Sequence, residues 1–381
     1  MEDELLVIRH HLHAYPELSF HEEKTAAFLS DLLTKWGIEH QKGVGGHGIV
    51  GIIHGSNPKG KVIALRADMD ALPIVEQNRV PYQSMNTGVM HACGHDVHMT
   101  CLLGVVKLLN QWKTHWEGRV KFIFQPAEEQ LPGGAIKMIE AGVLDSPKPK
   151  VIFAQHVFPE LPAGKVGFRS GRYMASSDEI NLIVKGKGGH AAMPENYDNT
   201  VLAAAQILID LQQQIEQAKP SHIPSVLAFG KIVADGAHNV IPSQVSIHGT
   251  FRTFDEEWRK KAHHLIETTA QSAAAKYHTQ CELVIDRGYP VLINDPAATS
   301  LAKKAAIEFL GAENVVELNQ RMTVEDFARY GQVVPACFYR LGTGNPERGI
   351  TANLHTPRFD VDESSLVTGT GMMLWICLKS L

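Results

Sequence analysis

Cys93, His95, Glu129, His156 and His355 carry the side-chain types that hold borderline divalent cations, and a bound cation makes water nucleophilic near neutral pH. The chemistry they suggest is metal-assisted hydrolysis. Cys93 and His95 lie in His91-Ala-Cys-Gly-His-Asp96, where His91, Cys93, His95, Asp96 and His98 crowd into eight residues. A lone Cys or His is more often a packing residue, but so many groups that resist desolvation in one short loop argue for a purpose. Cys93 and His95 are therefore read as ligands, and His91, Asp96 and His98 as groups behind the ligands or on the substrate. Glu128-Glu129 sets like charges side by side, which on its own could be a solvated surface pair. After Gln125-Pro-Ala127 and before Gly133-Gly134 it offers one carboxylate to bind metal and one to take a proton from water.

Other candidates are weaker alone. His190 ends Gly186-Lys-Gly-Gly-His190, which lacks the GxxxxGK[ST] pattern of a phosphate loop and could be a turn histidine without function. Asn239 precedes Val240-Ile-Pro242, and Arg252 could be a solvated arginine on an edge strand. Cys93 activated by His95 would be a thiol nucleophile, a second enzymatic reading. A non-catalytic binding protein with a structural ion is a third, against which the adjacent Glu128 argues, because a structural site closes its coordination shell and needs no base.

These residues need elements to carry them. Strand-like apolar runs at 49–54, 62–67, 120–125 and 151–156 alternate with helical periodicity at 99–109 and 135–141, which predicts an α/β fold with a largely parallel, helix-covered sheet. In such sheets loops at the carboxyl ends of strands share a crevice, and Asp68, Asp70, Glu128, Glu129 and His156 all follow or close predicted strands. Ser19-Phe-His-Glu22 reads as a capping box opening a helix with Leu29, Leu32, Leu33 and Trp36 on one face. Between 177 and 286 the order is strand, helix, strand, strand, helix, strand, the βαββαβ pattern of a ferredoxin-like α+β layer. After it come a helix capped by Asp295-Pro296 and running to Gly311, a short helix from Thr323, a strand at 337–341 and a last helix from Asp362. The expected domains are thus 1–176 with 287–381, metal-binding and catalytic, and an inserted 177–286.

The chain has 381 residues, long enough for two cores. Its formal charge of -5, with scattered basic residues, argues against a nucleic-acid partner and leaves small molecules as the expected ligands. No apolar run approaches the ~20 residues of a membrane span. The acidic start Met1-Glu-Asp-Glu4 lacks the basic character of an export signal, so a cytoplasmic location is expected. Five widely spaced cysteines fit a reducing compartment.

Taken together, His13-Ala-Tyr-Pro-Glu-Leu-Ser19, Arg66-Ala-Asp-Met-Asp-Ala-Leu-Pro73, Met90-His-Ala-Cys-Gly-His-Asp96, Pro126-Ala-Glu-Glu129, Gly188-Gly-His-Ala191, Asn239-Val-Ile-Pro242, Glu325-Asp-Phe327 and Leu354-His-Thr356 carry a resemblance spanning essentially the whole chain. It resembles the acylase-type metallo-amidohydrolases of the aminoacylase and carboxypeptidase clan. The subgroup includes hippurate hydrolases, N-acetyl-amino-acid and N-acetyldiaminopimelate deacetylases, and auxin-conjugate hydrolases. The resemblance implies a two-metal centre held by Cys93, His95, Glu129, His156 and His355, with Glu128 as general base. It implies that the inserted domain is a lid and dimerisation domain in a homodimer, that His190 reaches the site, and that Asn239 and Arg252 contact the substrate carboxylate or the oxyanion. The wider clan often has His-x-Asp where this chain has Asp68-Met-Asp70, so Asp70, like Asp96, is expected behind the ligands. The implied reaction is hydrolysis of the amide bond of an N-acyl amino acid, acetyl or aromatic acyl. A cysteine ligand leans the metals toward zinc, manganese, nickel or cobalt.

Overall fold

A computed structural model describes residues 1–381. The chain divides into two compact units, one of Met1–Tyr173, Leu292–Gln320 and Glu325–Leu381, the other of Met174–Val291 with Arg321–Val324.

In the first unit an eight-stranded sheet runs in the order β1 (His40–Val44), β2 (Gly48–His54), β4 (Arg119–Gln125), β3 (Val62–Asp68), β5 (Ile152–Pro162), β16 (Ala336–Gly344), β6 (Val166–Phe168), β15 (Val315–Glu317). The central β4, β3, β5 and β16 are mutually parallel, whereas β1, β2 and β6 join antiparallel. Every residue of β3 is buried, as a strand covered on both faces requires. The helices of this unit are α1 (Glu2–Ala14), α2 (Glu23–Lys35), α3 (His95–Gln111), α4 (Gly134–Glu140), α7 (Pro296–Leu310), α8 (Ala328–Gly331) and α9 (Ser365–Ser380). A short ribbon pairs β7 (Gly171–Met174) with β14 (Leu292–Asn294).

Most expected elements are present, although the short helix expected from Thr323 is reduced to the single turn of α8 from Ala328, and three further differences matter more. The capping box does not form: α2 begins at Glu23, and the Ser19 hydroxyl donates instead to Asp70 Oδ2 at 2.6 Å. The helix starts four residues beyond Ser19, too far on for Ser19 to cap it, and the hydroxyl donates to a buried carboxylate instead. The Asp295 cap does form, its side chain accepting from Ala298 N at 2.8 Å. His156 does not close its strand, because β5 continues to Pro162. It instead lies where the sheet parts: β5 pairs with β3 only over Ile152–Ala154 but stays beside β16, with His156 opposite Arg340. The third difference is α1, whose Leu5, Ile8 and Leu12 form a buried stripe that the sequence reading passes over.

The second unit contains β8 (Ser176–Lys185), β9 (Gly189–His190), α5 (Thr200–Ala218), β10 (Ser225–Ala234), β11 (Val240–Ile241), β12 (Gln244–Thr253), α6 (Glu256–Ala275) and β13 (Gln280–Arg287). Its main sheet is antiparallel in the order β10-β12-β8-β13, the ferredoxin-like arrangement, while β9 and β11 form a separate ribbon. Alternation along β8 turns Ile180, Leu182 and Val184 inward onto Ala203, Ile207 and Ile266 of the two helices. At the base of this unit Asp178 accepts from Arg259 Nη2 at 2.6 Å and Nε at 2.9 Å, and His263 Nε2 lies 2.6 Å away.

Candidate metal centre

Gly94 lets Cys93 and His95 face inward together. It has a left-handed φ of 77°, and a Cβ there would lie 2.4 Å from Val157 Cγ2, so only glycine lets the start of α3 approach the strand carrying His156. The donor atoms of Cys93, His95 and His156 lie within 4.8 Å of one another, as do those of Cys93, Glu129 and His355, and those of His95, Glu128 and Glu129. The overlapping groups join all five expected ligands and the expected base, from loops after β3, β4 and β16 and from within β5. His355 has a positive φ of 60°, and its amide donates to Ala92 O at 2.9 Å, which ties its loop to the cysteine loop.

Hydrogen bonds fix which imidazole nitrogens face the gap. His156 Nδ1 donates to Val157 O at 2.8 Å, leaving its Nε2 lone pair 3.4 Å from Cys93 Sγ. His98 is different: its Nε2 accepts from Val157 N at 2.9 Å and its Nδ1 faces Asp68 Oδ1 at 2.5 Å. Both nitrogens of His98 are committed to protein partners, so it stands behind the ligands although Asp68, His95 and His98 are close enough to hold an ion. His95 Nδ1 faces Asp70 Oδ1 at 3.3 Å, an ion-pair distance without the alignment of a good hydrogen bond. The other oxygen of Asp70 accepts from Ser19 Oγ at 2.6 Å and from Glu129 N at 2.9 Å. One carboxylate thus steadies two expected ligands.

Fully buried His95 Nε2 and Glu129 Oε1 have no hydrogen-bond partner, although they lie 3.9 Å apart and His355 Nε2 is 3.2 Å from the same Glu129 oxygen. Unpartnered buried donors converging on one gap, with a thiol among them, fit a pair of soft-to-borderline divalent cations. The field agrees. Burial alone would push His95 down, but Asp68, Asp70 and Glu129 outweigh it and raise the imidazolium to about 10. Burial, then Glu129 and Glu128, push the Cys93 thiol well above its usual range, opposite to what a free nucleophilic cysteine needs. Burial followed by Glu325, Glu129, Asp326 and Asp70 raises the Glu128 carboxyl, a direction suited to accepting a proton.

Asp96 points away from this gap. Arg9 Nε donates to Asp96 Oδ2 at 3.0 Å and His13 Nδ1 lies 2.8 Å from the same oxygen, so Asp96 anchors α1 to α3. His91 is buried with both ring nitrogens unpartnered, and burial lowers it to about 4. The sequence reading assigns no part to Arg9, His13, Arg66, Glu325 or Asp326. His13, Arg66, Glu325 and Asp326 stand in quoted motifs, and the α1 stripe would have placed Arg9 and His13 on a buried helix.

His190, Asn239 and Arg252 belong to the second unit. His190 pairs with Val240 across the β9–β11 ribbon, its Nδ1 accepts from Ala192 N at 3.1 Å, and Asn239 O accepts from Ala191 N at 2.9 Å, so His190 and Asn239 share one exposed ribbon. Arg252 lies on β12, an interior strand rather than an edge, and donates through Nη1 to Met322 O at 2.7 Å.

Comparison with known proteins agrees with this arrangement. The chain is 38% identical over 371 residues to an N-acetylcysteine deacetylase of Bacillus subtilis (strain 168), covering 96% of this chain and 94% of the relative. It is 40% identical over 294 residues to an N-acyl-L-amino acid amidohydrolase of Geobacillus stearothermophilus, covering 77% and 79%. A Bacillus subtilis crystal structure described as a dinuclear metal binding peptidase from the M20 family superposes with a TM-score of 0.86 at 35% identity, over 100% of this chain and 98% of that one. The model of peptidase family M20/M25/M40 matches residues 64–378, and the chain belongs to that family.

Proposed function

We propose that this protein is a metal-dependent amidohydrolase that cleaves the amide bond of N-acyl amino acids, releasing a carboxylic acid and a free amino acid. The observation that carries the reading is the convergence of Cys93, His95, Glu129, His156 and His355 on one gap, with Glu128 beside it. Those five residues would hold two divalent cations, zinc, manganese, nickel or cobalt. When bound, the cations would supply polarisation of the acyl carbonyl and a water that is nucleophilic at neutral pH. Glu128 accepts the proton of the attacking water and returns it to the departing amine. His190 holds the oxyanion, and Asn239 and Arg252 hold the substrate carboxylate, which makes the inserted unit a lid. Exposed Val226, Ile232 and Val233 on edge strand β10 support a homodimer formed through that unit. Five unpaired cysteines support a cytoplasmic setting, and no helix is long and apolar enough to cross a membrane. The raised Cys93 thiol removes the support for a cysteine nucleophile.

The test is amine release from a panel of N-acetyl, N-benzoyl and longer N-acyl amino acids, with metal-depleted protein reconstituted with each of the four metals. Release is expected only after reconstitution. Glu128→Gln should keep its metal content, read by mass spectrometry, and lose roughly 10²–10⁴ in kcat. Full turnover after exhaustive chelation, or in Glu128→Gln, would overturn the reading.

A further inference from the structure

Arg66 and the Glu325-Asp-Phe327 motif take no part in the reaction proposed above, yet they build the most heavily charged buried cluster next to it. The Arg66 guanidinium is wholly buried and donates from Nε to Gln125 Oε1 at 2.9 Å, from Nη1 to Asp68 Oδ2 at 2.6 Å, and from Nη2 to Glu325 Oε1 at 3.0 Å and Asp326 Oδ1 at 2.8 Å. Asp326 is bound on both oxygens, by Gln125 Nε2 at 2.9 and 2.8 Å and by Ala135 N at 2.9 Å as well as by Arg66. Gln125 and Ala135 flank the Glu128 loop, and Gly134 makes that fold-back possible, since a Cβ there would lie 1.7 Å from Pro126 O. Glu325 is held differently. Its Oε1 accepts from Arg66 and from Phe327 N at 3.0 Å, and its carboxyl lies against Glu128, with oxygens of Glu128, Glu325 and Asp326 all within 4.8 Å of one another.

A structural ion pair needs one acid for one guanidinium. Arg66 meets three, and Asp68 and Asp326 already pair with it through shorter contacts than Glu325 does. Glu325 is surplus to that purpose, and placing another acid in a dry interior is expensive. Its location explains it better than its charge: like Asp326 it meets both Arg66 and the surroundings of Glu128, but Asp326 is also committed to Gln125 and the Ala135 amide.

We propose that Glu325, locked by Arg66 and the Phe327 amide, is the positioning residue for Glu128. It fills the space beside the Glu128 carboxyl group and restricts the orientations open to it. The inference rests on the reading of Glu128 as the general base. Because Arg66 also grips Asp68, which orients His98 against the Val157 amide next to His156 on β5, the same guanidinium would set the base and the metal side in one frame.

The test is a mutant cycle on metal-loaded protein, with metal stoichiometry and the thermal midpoint of the metal-free form measured for each variant. Glu325→Ala should bind metal as wild type and lose about tenfold or more in kcat, since displacing a reacting group by an ångström has costs of that order. KM should stay within about threefold, the sign of an effect confined to the transition state. Glu325→Gln, which keeps the shape and the Arg66 and Phe327 contacts, should recover most of the lost kcat. In a Glu128→Gln background Glu325→Ala should cost less than about twofold further, because a residue acting through Glu128 has nothing left to position. If Glu325→Ala does not fold, Glu325→Asp replaces it: the charge is kept, the carboxyl retreats by one methylene, and kcat should again fall. Wild-type kcat in Glu325→Ala or Glu325→Asp, or a full additional loss in the Glu128→Gln background, overturns the inference. Undiminished turnover in Glu128→Gln itself refutes the base, a separate failure.

Discussion

Replacing Asp70 by asparagine tests whether a residue behind the proposed ligands governs cation affinity. Asp70 uses one oxygen to accept from Ser19 Oγ and Glu129 N, and turns the other toward His95 Nδ1 at 3.3 Å. The asparagine side chain has a single acceptor oxygen. Ser19 and the Glu129 amide are both donors there, so the oxygen stays with them and the NH2 group turns to His95. A donor then faces Nδ1, which must give up its hydrogen, and the neutral ring carries its proton on Nε2 instead. That closes the lone pair on the nitrogen that faces Glu129 and the gap. Loss of such outer partners costs 10–100-fold in metal affinity, or about 1.4–2.7 kcal/mol. Titrating zinc or manganese into metal-depleted Asp70→Asn against a competing chelator measures it. The thermal midpoint of the metal-free form controls for folding, since the substituted amide keeps the Ser19 and Glu129 contacts. Wild-type affinity in a folded Asp70→Asn protein would refute the tautomer argument.

Gly94→Ala should destabilise the protein by roughly 2–4 kcal/mol, summing a left-handed alanine and an overpacked contact with Val157. Urea unfolding of the metal-free protein reads it, and a cost under about 0.5 kcal/mol, the range of an unremarkable surface change, would show that the loop relaxes freely. In the second unit, burial would raise Asp178, but hydrogen bonds from His263 and Arg259 outweigh it and hold the carboxyl below its ordinary range. A depressed folded value means stability that is present above the unfolded pKa of about 3.9 and lost as pH falls through the folded value. Asp178→Asn should therefore cost about 3 kcal/mol at neutral pH and progressively less below pH ~4, and a gap that does not change with pH would sink the assignment.

The fold is legible where one rule governs each segment. Buried β3 and β4 read as predominantly apolar runs despite Arg66 and Lys121, and alternation in β8 and β12 reveals the ferredoxin-like unit, because period and burial agree there. Ser19 misleads because capping is a local rule and its hydroxyl answers to Asp70, 51 residues away. His156 reads as a strand end because sequence shows where apolar character stops, whereas strand pairing decides where a sheet opens. The donor types are legible from chemistry alone. Their tautomers are not, since those depend on backbone groups such as Val157 O and Val157 N that carry no sequence signal. Arg66 looks like one more polar residue at a strand end until its four partners are visible.

Charge gives a further reason for the centre to bind cations. Asp68, Asp70, Glu128, Glu129, Glu325 and Asp326 lie in and beside the centre with Cys93, and the Arg66 guanidinium pairs directly with only Asp68, Glu325 and Asp326. An interior cannot hold that many uncompensated carboxylates, so they must share protons or attract positive charge. On the Arg66 side, burial and mutual repulsion push Glu128, Glu325 and Asp326 upward, and Arg66 works against the rise at Glu325 and Asp326. On the other side Asp68 and Asp70 stay below their ordinary range, because His95 and its neighbours outweigh the cost of burial. The cluster is thus divided: acids pushed upward by burial and by one another lie toward Glu128, and acids held below their ordinary range lie toward His95. Divalent cations entering among His95, Cys93 and Glu129 would lie beside the depressed Asp68 and Asp70 carboxylates, with Glu128, the proposed base, on the other side.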